Sequence, residues 1–370
     1  MNFDFSPEQI QLKDAARRFL ADHCPSAVVR AVLEGEAAYA EALWAGLAQM
    51  GFLGVRIPEA YGGLGLGYLE LCVIAEELGR ALAPVPYASS VFLATELLLA
   101  AGSEDQKARW LPKLAAGEAI GTLALAEGVG PARPEAIHCD VRDGSLYGSK
   151  SPTPDGGVAD FAVVAARDSA GLSLYLVDLA GPPVERRALE TLDPTRNHAH
   201  LEFSSAPAEP LGPAGGGWAL VEQVLDVAAV LTAFEQVGGA DRALEMARDY
   251  ALQRKAFGRV IGSFQALKHM LADMYVAVTL ARSNAYYGAW ALSTAAAELP
   301  LAAAAARVSA TEAYQRCARD NIQAHGGMGF TWAFDCHLHY RRSNLLALNL
   351  GGLSQWQDKL VSRLNARAAA

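Results

Sequence analysis

Residues 254–265, RKAFGRVIGSFQ, lie between two long helical patterns and combine an arginine, a Phe-Gly pair and a glutamine. Arg254 offers a planar guanidinium fork that matches a pyrophosphate, and Gln265 offers an amide that can bond the edge of a ribose or an adenine. The plainer interpretation is an arginine on a solvated helix end, with Phe257 in the core. This stretch alone leaves both interpretations open.

A second stretch, QAHGGMGF at residues 323–330, interrupts another long helical pattern. Glycine doublets commonly just end helices, because glycine tolerates positive φ at the C-terminal cap. The functional alternative is that a phosphate or a flat ring approaches bare backbone at Gly326 and Gly327. The two stretches together, in this order, form a compound signature that is more specific than either motif alone.

Hydrophobic periodicity predicts three domains. Residues 1–119 have helical spacing, and Ser6 with Pro7 and Gln9 predicts a capping box at the first helix. Residues 120–214 contain short apolar or alternating runs between turn residues, of which the clearest are FAVVAAR, LSLYLVDL and HAHLEF. This pattern predicts a small antiparallel barrel or sandwich.

The last segment, residues 215–370, returns to helical spacing. Its long alanine-rich patterns predict a four-helix bundle from the stretches 217–254, 263–296, 300–325 and 335–364. The predicted fold class is therefore α+β and multi-domain: an N-terminal helical domain, a middle antiparallel β-domain and a C-terminal helical bundle.

Composition excludes several classes of function. The chain has 370 residues, of which 52% are hydrophobic and 19% charged, as expected of a folded globular protein. A net charge of -9 argues against nucleic acid as a partner. The five cysteines form no C-x-x-C pair, which favours a reducing compartment and offers no zinc spacing. We see neither a signal-peptide pattern nor an apolar run of bilayer length, so we expect a cytoplasmic protein without a membrane partner.

Three histidines lie in or near the second glycine stretch: His325, His337 and His339. Their spacing beside Arg341 and Arg342 is more typical of capping or solvated histidines than of a metal site. The sequence therefore predicts no metal.

The compound signature resembles that of the acyl-CoA dehydrogenase family, R-x-x-F-G-x-x-I-x-x-F-Q followed by Q-x-x-G-G-x-G-F. The resemblance extends over nearly the whole chain, through GFLGVRIPEAYGGLGLGYLE (51–70), DQKARWLPKLAAGEAIGTLALAE (105–127), VADFAVVAAR and HMLADM (269–274). It implies the same three domains and a tetramer built as a dimer of dimers.

The resemblance also implies a cofactor, a substrate and partners. FAD is expected between the β-domain of one subunit and the C-terminal bundle of its neighbour, with an acyl-CoA as substrate and electron-transfer flavoprotein as acceptor. By this resemblance, the residues that meet the ADP half of the cofactor are Arg254, Phe257, Gln265, Gln323, Gly326 and Gly327.

The catalytic base of the family is missing from the expected positions. Dehydrogenation needs a carboxylate to remove the α-proton while flavin N5 accepts the β-hydrogen as hydride. The usual glutamate position corresponds to Leu350, or to Gly351 in a register shifted by one residue. The alternative position, after the β-domain, is Ala228, and Ala229 replaces the arginine that holds CoA. Asp226 is the nearest carboxylate, but on a helix it points about 200° away from position 228.

The motifs that contact the isoalloxazine in the family are also altered. Ala126 and Ala132 stand where the family has a threonine and a serine. Pro152 replaces the aromatic residue that covers the flavin, and Pro154 replaces a threonine that bonds it. Proline has no amide hydrogen to donate to a flavin edge.

Three hypotheses follow. The first is a subunit that lacks the base and pairs with a catalytic paralogue, as in bacterial α2β2 members of the family that act on steroid or other bulky cyclic acyl-CoAs. The second is a homotetrameric dehydrogenase with an unusual base, or a flavin oxidase or monooxygenase on this fold. The third is a binding or structural protein without flavin. The retained ADP-side residues and the altered flavin face favour the first hypothesis.

Overall fold

The structure, a computed structural model, describes residues 5–369. The chain begins with helices and short turns before its sheet. The α-helices of this part are α1 (Pro7–His23), α2 (Ser26–Leu33), α3 (Glu41–Gln49), α4 (Tyr68–Arg80), α5 (Glu96–Ala101) and α6 (Glu104–Ala115). A π-helical segment, Ala88–Thr95, leads directly into α5.

The predicted capping box at the start of α1 is confirmed. The Gln9 backbone N–H donates to Ser6 Oγ at 3.3 Å, and the Ser6 backbone N–H donates to Gln9 Oε1 at 2.9 Å. Two of the N–H groups that a helix start leaves without intrahelical partners are thereby satisfied by side chains.

The middle of the chain forms an eight-stranded sheet in the order β6–β7–β3–β2–β4–β5–β8, with β1 paired to β4 outside this path. The strands are β1 (Gly121–Ala124), β2 (Asp140–Arg142), β3 (Ser145–Pro154), β4 (Phe161–Asp168), β5 (Gly171–Asp178), β6 (Val184–Ala188), β7 (His198–Pro207) and β8 (Glu209–Leu211). The three runs that we identified as strands coincide with β4, β5 and β7.

The predicted fold class is confirmed, with one difference in the sheet. Most pairs are antiparallel, but β1 and β2 each pair parallel with β4. Parallel pairing requires a long connection between the strands, and the β2–β3 hairpin lies in the chain between β1 and β4. The sequence run of β4 is almost entirely buried, as in strands covered on both faces.

The C-terminal part is helical again, with one small hairpin. Its elements are α7 (Gly217–Gln253), β9 (Lys255–Ala256), β10 (Arg259–Val260), α8 (Gln265–Ser293), α9 (Leu299–His325), α10 (Cys336–Leu348) and α11 (Leu353–Ala369). Our prediction of one helix over 335–364 is wrong. Leu350 has φ 64° and Gly351 has φ 101°, and residues in this left-handed region end a right-handed helix.

Contacts divide the described chain into two compact units. The helical unit comprises the described parts of Met1–Val29, Tyr68–Ala83 and Ala229–Ala370, and the sheet unit comprises Arg30–Gly67 and Pro84–Ala228. The boundary falls within α7. The three-domain division at 119/120 and 214/215 stays a prediction, because compactness groups the chain differently.

In the helical unit, α4 and α7 cross at two glycines. A Cβ atom on Gly79 would lie 1.9 Å from the Glu235 carbonyl oxygen, and one on Gly238 would lie 1.8 Å from the Glu76 carbonyl oxygen. The backbones therefore approach more closely than any side chain permits.

Helix α7 is long and apolar enough, by length and composition, to cross a bilayer, so the expectation that no apolar run has bilayer length is wrong. In its most apolar 18-residue window, 72% of the residues are buried inside the protein. A core helix of a globular protein has the same properties.

Candidate functional site

The segment that carries Phe257 is a tight hairpin in the helical unit. Strands β9 and β10 pair through Lys255 with Val260 and Ala256 with Arg259, which leaves Phe257 and Gly258 as a two-residue loop. Both loop residues have positive φ, 52° and 77°, as the type I′ turn of a short hairpin requires. The Phe257 side chain is 94% exposed, so its core interpretation is wrong. A bulky residue in the left-handed region, directed to solvent, is suited to contact a ligand or another subunit.

Arg254 directly precedes this hairpin. Its backbone N–H donates to the Tyr250 carbonyl at 2.8 Å, and its own carbonyl accepts from the Ile261 N–H at 2.8 Å. The residue is exposed, and within residues 5–369 its guanidinium makes no hydrogen bond or ion pair. The backbone of Arg254 is therefore fixed while its fork stays available for an anion.

The glycine stretch has two different structural requirements. Gly326 ends α9 with φ 61° and ψ -140°, a conformation that only glycine adopts readily, so the helix-ending interpretation holds for this residue. Gly327 has no positive φ, and a Cβ atom there would meet nothing within 4 Å. Neither backbone conformation nor crowding within the described chain requires a glycine at position 327, and the space beside it is open to an external group.

An aromatic stack connects the end of α7, just before the first motif, to the end of α9, where the glycine stretch begins. The rings of Tyr250 and His325 stack with centroids 4.1 Å apart, and Phe334 lies edge-on to Tyr250 at 6.1 Å. His325 Nδ1 lies 2.8 Å from the Asn321 carbonyl oxygen, and burial lowers the pKa of the His325 imidazole. His325 is thus a packing residue rather than the capping or solvated one we expected.

The stack fixes the relative positions of the candidate ADP-side residues on the helical unit. Arg254 lies one helical turn after Tyr250, and Gln323 is an exposed residue two positions before His325. Gln265 is the exposed first residue of α8. It follows Phe264, whose ring contacts that of Phe257 at 6.2 Å. The hairpin, the end of α7 and the glycine stretch therefore lie at one end of the bundle.

The loop at the expected base position is held from two sides. Arg307 is buried, and its guanidinium donates to Gln236 Oε1 at 2.7 Å, to the Asn349 carbonyl at 2.6 Å and to the Leu346 carbonyl. Trp356 Nε1 donates to the Leu350 carbonyl at 3.0 Å. These bonds hold the backbone of the loop in place. Leu350 and Gly351 nevertheless supply no carboxylate.

The alternative base position lies in the sheet unit. Ala228 is completely buried in α7, and Asp226 is 5% exposed. Neither residue provides an accessible carboxylate at position 228.

The buried charges Arg307, Arg342 and Glu235 were not predicted from the sequence. Arg342 is buried, with Nη1 3.6 Å from Glu235 Oε1 and Nη2 donating to the Leu82 carbonyl at 3.4 Å. His339, which we expected to be a capping or solvated residue, is also buried, with Nδ1 3.1 Å from the Tyr314 hydroxyl. The available signal was that Arg307 directly follows five alanines on an apolar helix, where a charged residue is rarely buried without a partner.

The altered flavin-facing motifs lie in the sheet unit around β3. Lys150 is fully buried and its Nζ donates to Glu127 Oε1 at 2.6 Å. Burial lowers the pKa of the Lys150 ammonium, and the glutamate beside it opposes that effect. Glu127 also accepts from the backbone N–H groups of His138 and Cys139. The Lys150 ammonium and the Glu127 carboxylate therefore bond to each other, the carboxylate also bonds to backbone N–H groups of this chain, and neither is directed at a ligand.

The neighbouring positions offer little to an isoalloxazine. Pro152 and Pro154 have no N–H group. The Ala126 carbonyl accepts from Ser151, and the Pro154 carbonyl accepts from the Thr122 hydroxyl. The residues of this chain therefore fit the ADP half of a dinucleotide in the helical unit and do not fit the isoalloxazine half in the sheet unit.

Family comparisons agree with the motifs. The model for the N-terminal domain of acyl-CoA dehydrogenase matches residues 6–118, and the model for the C-terminal domain matches residues 215–363. Acyl-CoA dehydrogenase IpdE2 of Mycobacterium tuberculosis is 37% identical over 340 residues, which cover 91% of this chain and 92% of that protein. The chain belongs to the acyl-CoA dehydrogenase family. This family consists of flavin-dependent oxidoreductases that act on CH–CH bonds.

Two solved structures of the family are similar over almost the whole chain. A variant of the Tcur3481–Tcur3483 steroid ACAD is 32% identical with a TM-score of 0.89 and covers 98% of this chain and 99% of that one. The ChsE4–ChsE5 complex from Mycobacterium tuberculosis is 28% identical with a TM-score of 0.88 and covers 99% of both chains.

Proposed function

We propose that this chain is the base-lacking subunit of a heterotetrameric acyl-CoA dehydrogenase. In this proposal, a catalytic paralogue supplies the base and the isoalloxazine contacts, and this chain supplies the ADP side of the FAD site. The complex carries out α,β-dehydrogenation of an acyl-CoA thioester.

One observation carries the proposal: the contrast between the two halves of the site. In the helical unit, the exposed Arg254 follows Tyr250 by one helical turn, and Tyr250 stacks on His325, which directly precedes the bare backbone of Gly326 and Gly327. The base positions, in contrast, are Leu350 and Ala228, and the flavin-facing strand carries prolines. A protein that bound its own flavin and worked alone would need both halves.

The names of similar structures support the pairing and the substrate class. Tcur3481–Tcur3483 and ChsE4–ChsE5 are both named for two chains, and the former is described as a steroid ACAD. We extend this to a paired assembly and to steroid-derived or other bulky cyclic acyl-CoAs. Electron-transfer flavoprotein is the proposed acceptor. Five free cysteines fit a reducing cytoplasm.

Within this proposal each ADP-side residue has a defined role. When bound, FAD supplies the acceptor for the β-hydride. Arg254 pairs its fork with the pyrophosphate, and the backbone at Gly326 and Gly327 permits the closest approach. Gln265 and Gln323 offer amides to the adenosine side, and Phe257 covers apolar surface from the hairpin tip. No step is assigned to the strand that carries Pro152.

The first test is Arg254→Ala in the complex with the paralogue. A guanidinium on a pyrophosphate is a charge-assisted contact worth roughly 1.5–3 kcal/mol. We therefore expect FAD retention to weaken by about ten- to a hundredfold, at about 1.4 kcal/mol per decade. The measurement is flavin absorbance against total protein during dilution, and the starting stoichiometry should be one FAD per heterodimer.

Arg248→Ala is the matched control, because Arg248 is an exposed arginine on the same helix and pairs with Asp249 at 2.8 Å. Its FAD retention should equal that of the wild type. One flavin per chain in a homotetramer of this protein alone, unaffected by Arg254→Ala, would refute the split site and support the homotetrameric alternative. Colourless protein, even with the paralogue, would support a flavin-free role.

Restoring a carboxylate alone should not restore catalysis. We expect Leu350→Glu in the isolated chain to show no dehydrogenase activity, because Ala126, Pro152 and Pro154 leave the isoalloxazine without its contacts and Ala229 leaves CoA without its arginine. The assay is reduction of a dye acceptor with a panel of acyl-CoAs, with the unmodified chain as control. Measurable turnover by this single variant would show that the sheet unit does support a flavin.

A further inference from the structure

The helical unit contains a cavity of about 320 Å³ that none of the motifs discussed above lines. Its walls come from α1, the start of α2, the end of α4, the middle of α7 and the start of α10. Neither the hairpin nor the glycine stretch contributes a residue, and Leu350 and Ala228 are absent from its lining. The cavity is therefore separate from the candidate dinucleotide site.

Three arginines line this cavity, and their ion pairs are unequal. Arg17 forms a two-point pair with Glu77, at 2.9 and 2.7 Å. Arg80 pairs with Glu245 and, at 3.4 Å, with Asp241. Arg242 has only one ion-pair partner among residues 5–369, the same Glu245, at 3.2 Å. Two guanidinium groups thus share one carboxylate.

Arg242 is the group with spare donors. Its side chain is 44% exposed, and only Nη1 donates to a protein acceptor within the described chain. A guanidinium has five N–H donors in a planar fork, so most of them remain available to a ligand. A carboxylate is the partner that this geometry fits best.

The cavity wall also carries a neutral histidine next to these charges. His339 is 2% exposed, with Nδ1 3.1 Å from the Tyr314 hydroxyl. The pKa of His339 is lowered to about 3, chiefly by burial and also by the positive charges of Arg242, Arg342 and Arg80, against the opposing effect of Asp335. The cavity lining itself has three guanidinium groups against the two carboxylates of Glu77 and Asp335, a formal excess of one positive charge.

Much of the remaining wall is apolar. Leu20, Val29, Met246 and Leu338 line it, together with the buried thiol of Cys24. The volume corresponds to roughly ten water-sized groups at about 30 Å³ each. A ligand with a single carboxylate and a short hydrocarbon body matches both the size and the lining.

We propose that this cavity binds a small amphipathic monocarboxylate, with its carboxylate on Arg242 and its hydrocarbon part against Leu20 and Met246. A dianion such as phosphate fits less well, because Glu77 and Asp335 also line the cavity and only one guanidinium lacks a carboxylate of its own. The site is independent of the proposed flavin function, since it uses none of the same residues.

Octanoate, which has roughly ten non-hydrogen atoms, is a suitable probe at the cavity size derived above. We expect titration calorimetry on the purified chain to show one octanoate per chain and a raised melting temperature on binding. Inorganic phosphate and octan-1-ol should bind at least tenfold more weakly, because one lacks the hydrocarbon body and the other the charge.

Arg242→Met is the decisive variant. It should keep its fold, because Glu245 remains paired with Arg80, and circular dichroism checks this. Octanoate should bind it at least tenfold more weakly, whereas Arg248→Met, on the same helix but outside the cavity, should bind as the wild type does. The proposal is overturned if octanoate fails to bind the wild type, if Arg242→Met retains full affinity, or if phosphate binds as tightly as octanoate.

Discussion

Gly238→Ala is expected to destabilise the helical unit by at least about 3 kcal/mol and to reduce the yield of folded protein sharply. The added Cβ would lie 1.8 Å from the Glu76 carbonyl oxygen and 2.8 Å from its carbonyl carbon. Both atoms belong to the backbone of α4, so no rotamer change can relieve the clash. The two helices would have to separate, and Gly79 faces α7 with the same closeness.

The sign of this effect is informative. In an unconstrained helix, alanine is favoured over glycine by about 0.8–1 kcal/mol. A large loss at position 238 therefore measures the helix crossing and not helix propensity. The measurement is thermal denaturation followed by circular dichroism, together with the soluble yield.

Gly327→Ala is the matched control, because a Cβ atom there meets nothing within 4 Å and the residue has no positive φ. Its effect on stability should stay within about 0.5 kcal/mol. If Gly238→Ala melts at the wild-type temperature, the helices do not cross as closely as described. In the complex with the paralogue, Gly327→Ala should instead weaken FAD retention, which separates the two roles of glycine in this chain.

Arg307→Met should lower the free energy of unfolding by about 2–4 kcal/mol. Arg307 is 1% exposed, and its removal leaves the Leu346 and Asn349 carbonyls without this donor, whereas Gln236 Oε1 keeps the Thr311 hydroxyl at 3.3 Å. The loss is partly offset, because burial lowers the pKa of Arg307 to about 10 and methionine does not carry that cost of desolvation. The two buried carbonyls that lose the guanidinium outweigh this gain.

The readout is the urea midpoint, combined with hydrogen exchange of the amides in residues 348–352. These amides should exchange faster, because Arg307 holds the end of α10 from which the loop departs. Arg319→Met is the control on the same helix: Arg319 is 68% exposed and lies 3.6 Å from Asp320, so its replacement should cost less than about 1 kcal/mol. Equal midpoints for the two variants would contradict the bonding described for Arg307.

Local sequence chemistry determined several features of this protein. The Ser6–Gln9 box sets the start of α1, and the apolar runs of β4, β5 and β7 predict their strands. These features depend on groups a few residues apart, so the sequence carries all the information that they need. The family motifs belong here as well, because their residue types and order are visible without a structure.

The turn at Phe257 was only half predicted. The Phe-Gly pair indicated a break, and an N-G or D-G pair would have indicated a type I′ hairpin directly. A phenylalanine with positive φ is uncommon, so the sequence did not predict a turn residue at this position. A core position for the ring was therefore plausible from the sequence, but the structure exposes the ring to solvent.

Tertiary structure alone decided the partners of the buried charges and the closest backbone contacts. Arg307 bonds a carbonyl 39 residues away, and Arg342 bonds one 260 residues away. The need for a glycine at positions 79 and 238 arises only from the close crossing of α4 and α7, which the sequence does not show. Periodicity specifies which face of a helix is buried but not which atoms it meets there, because those contacts depend on the packing of elements distant in sequence.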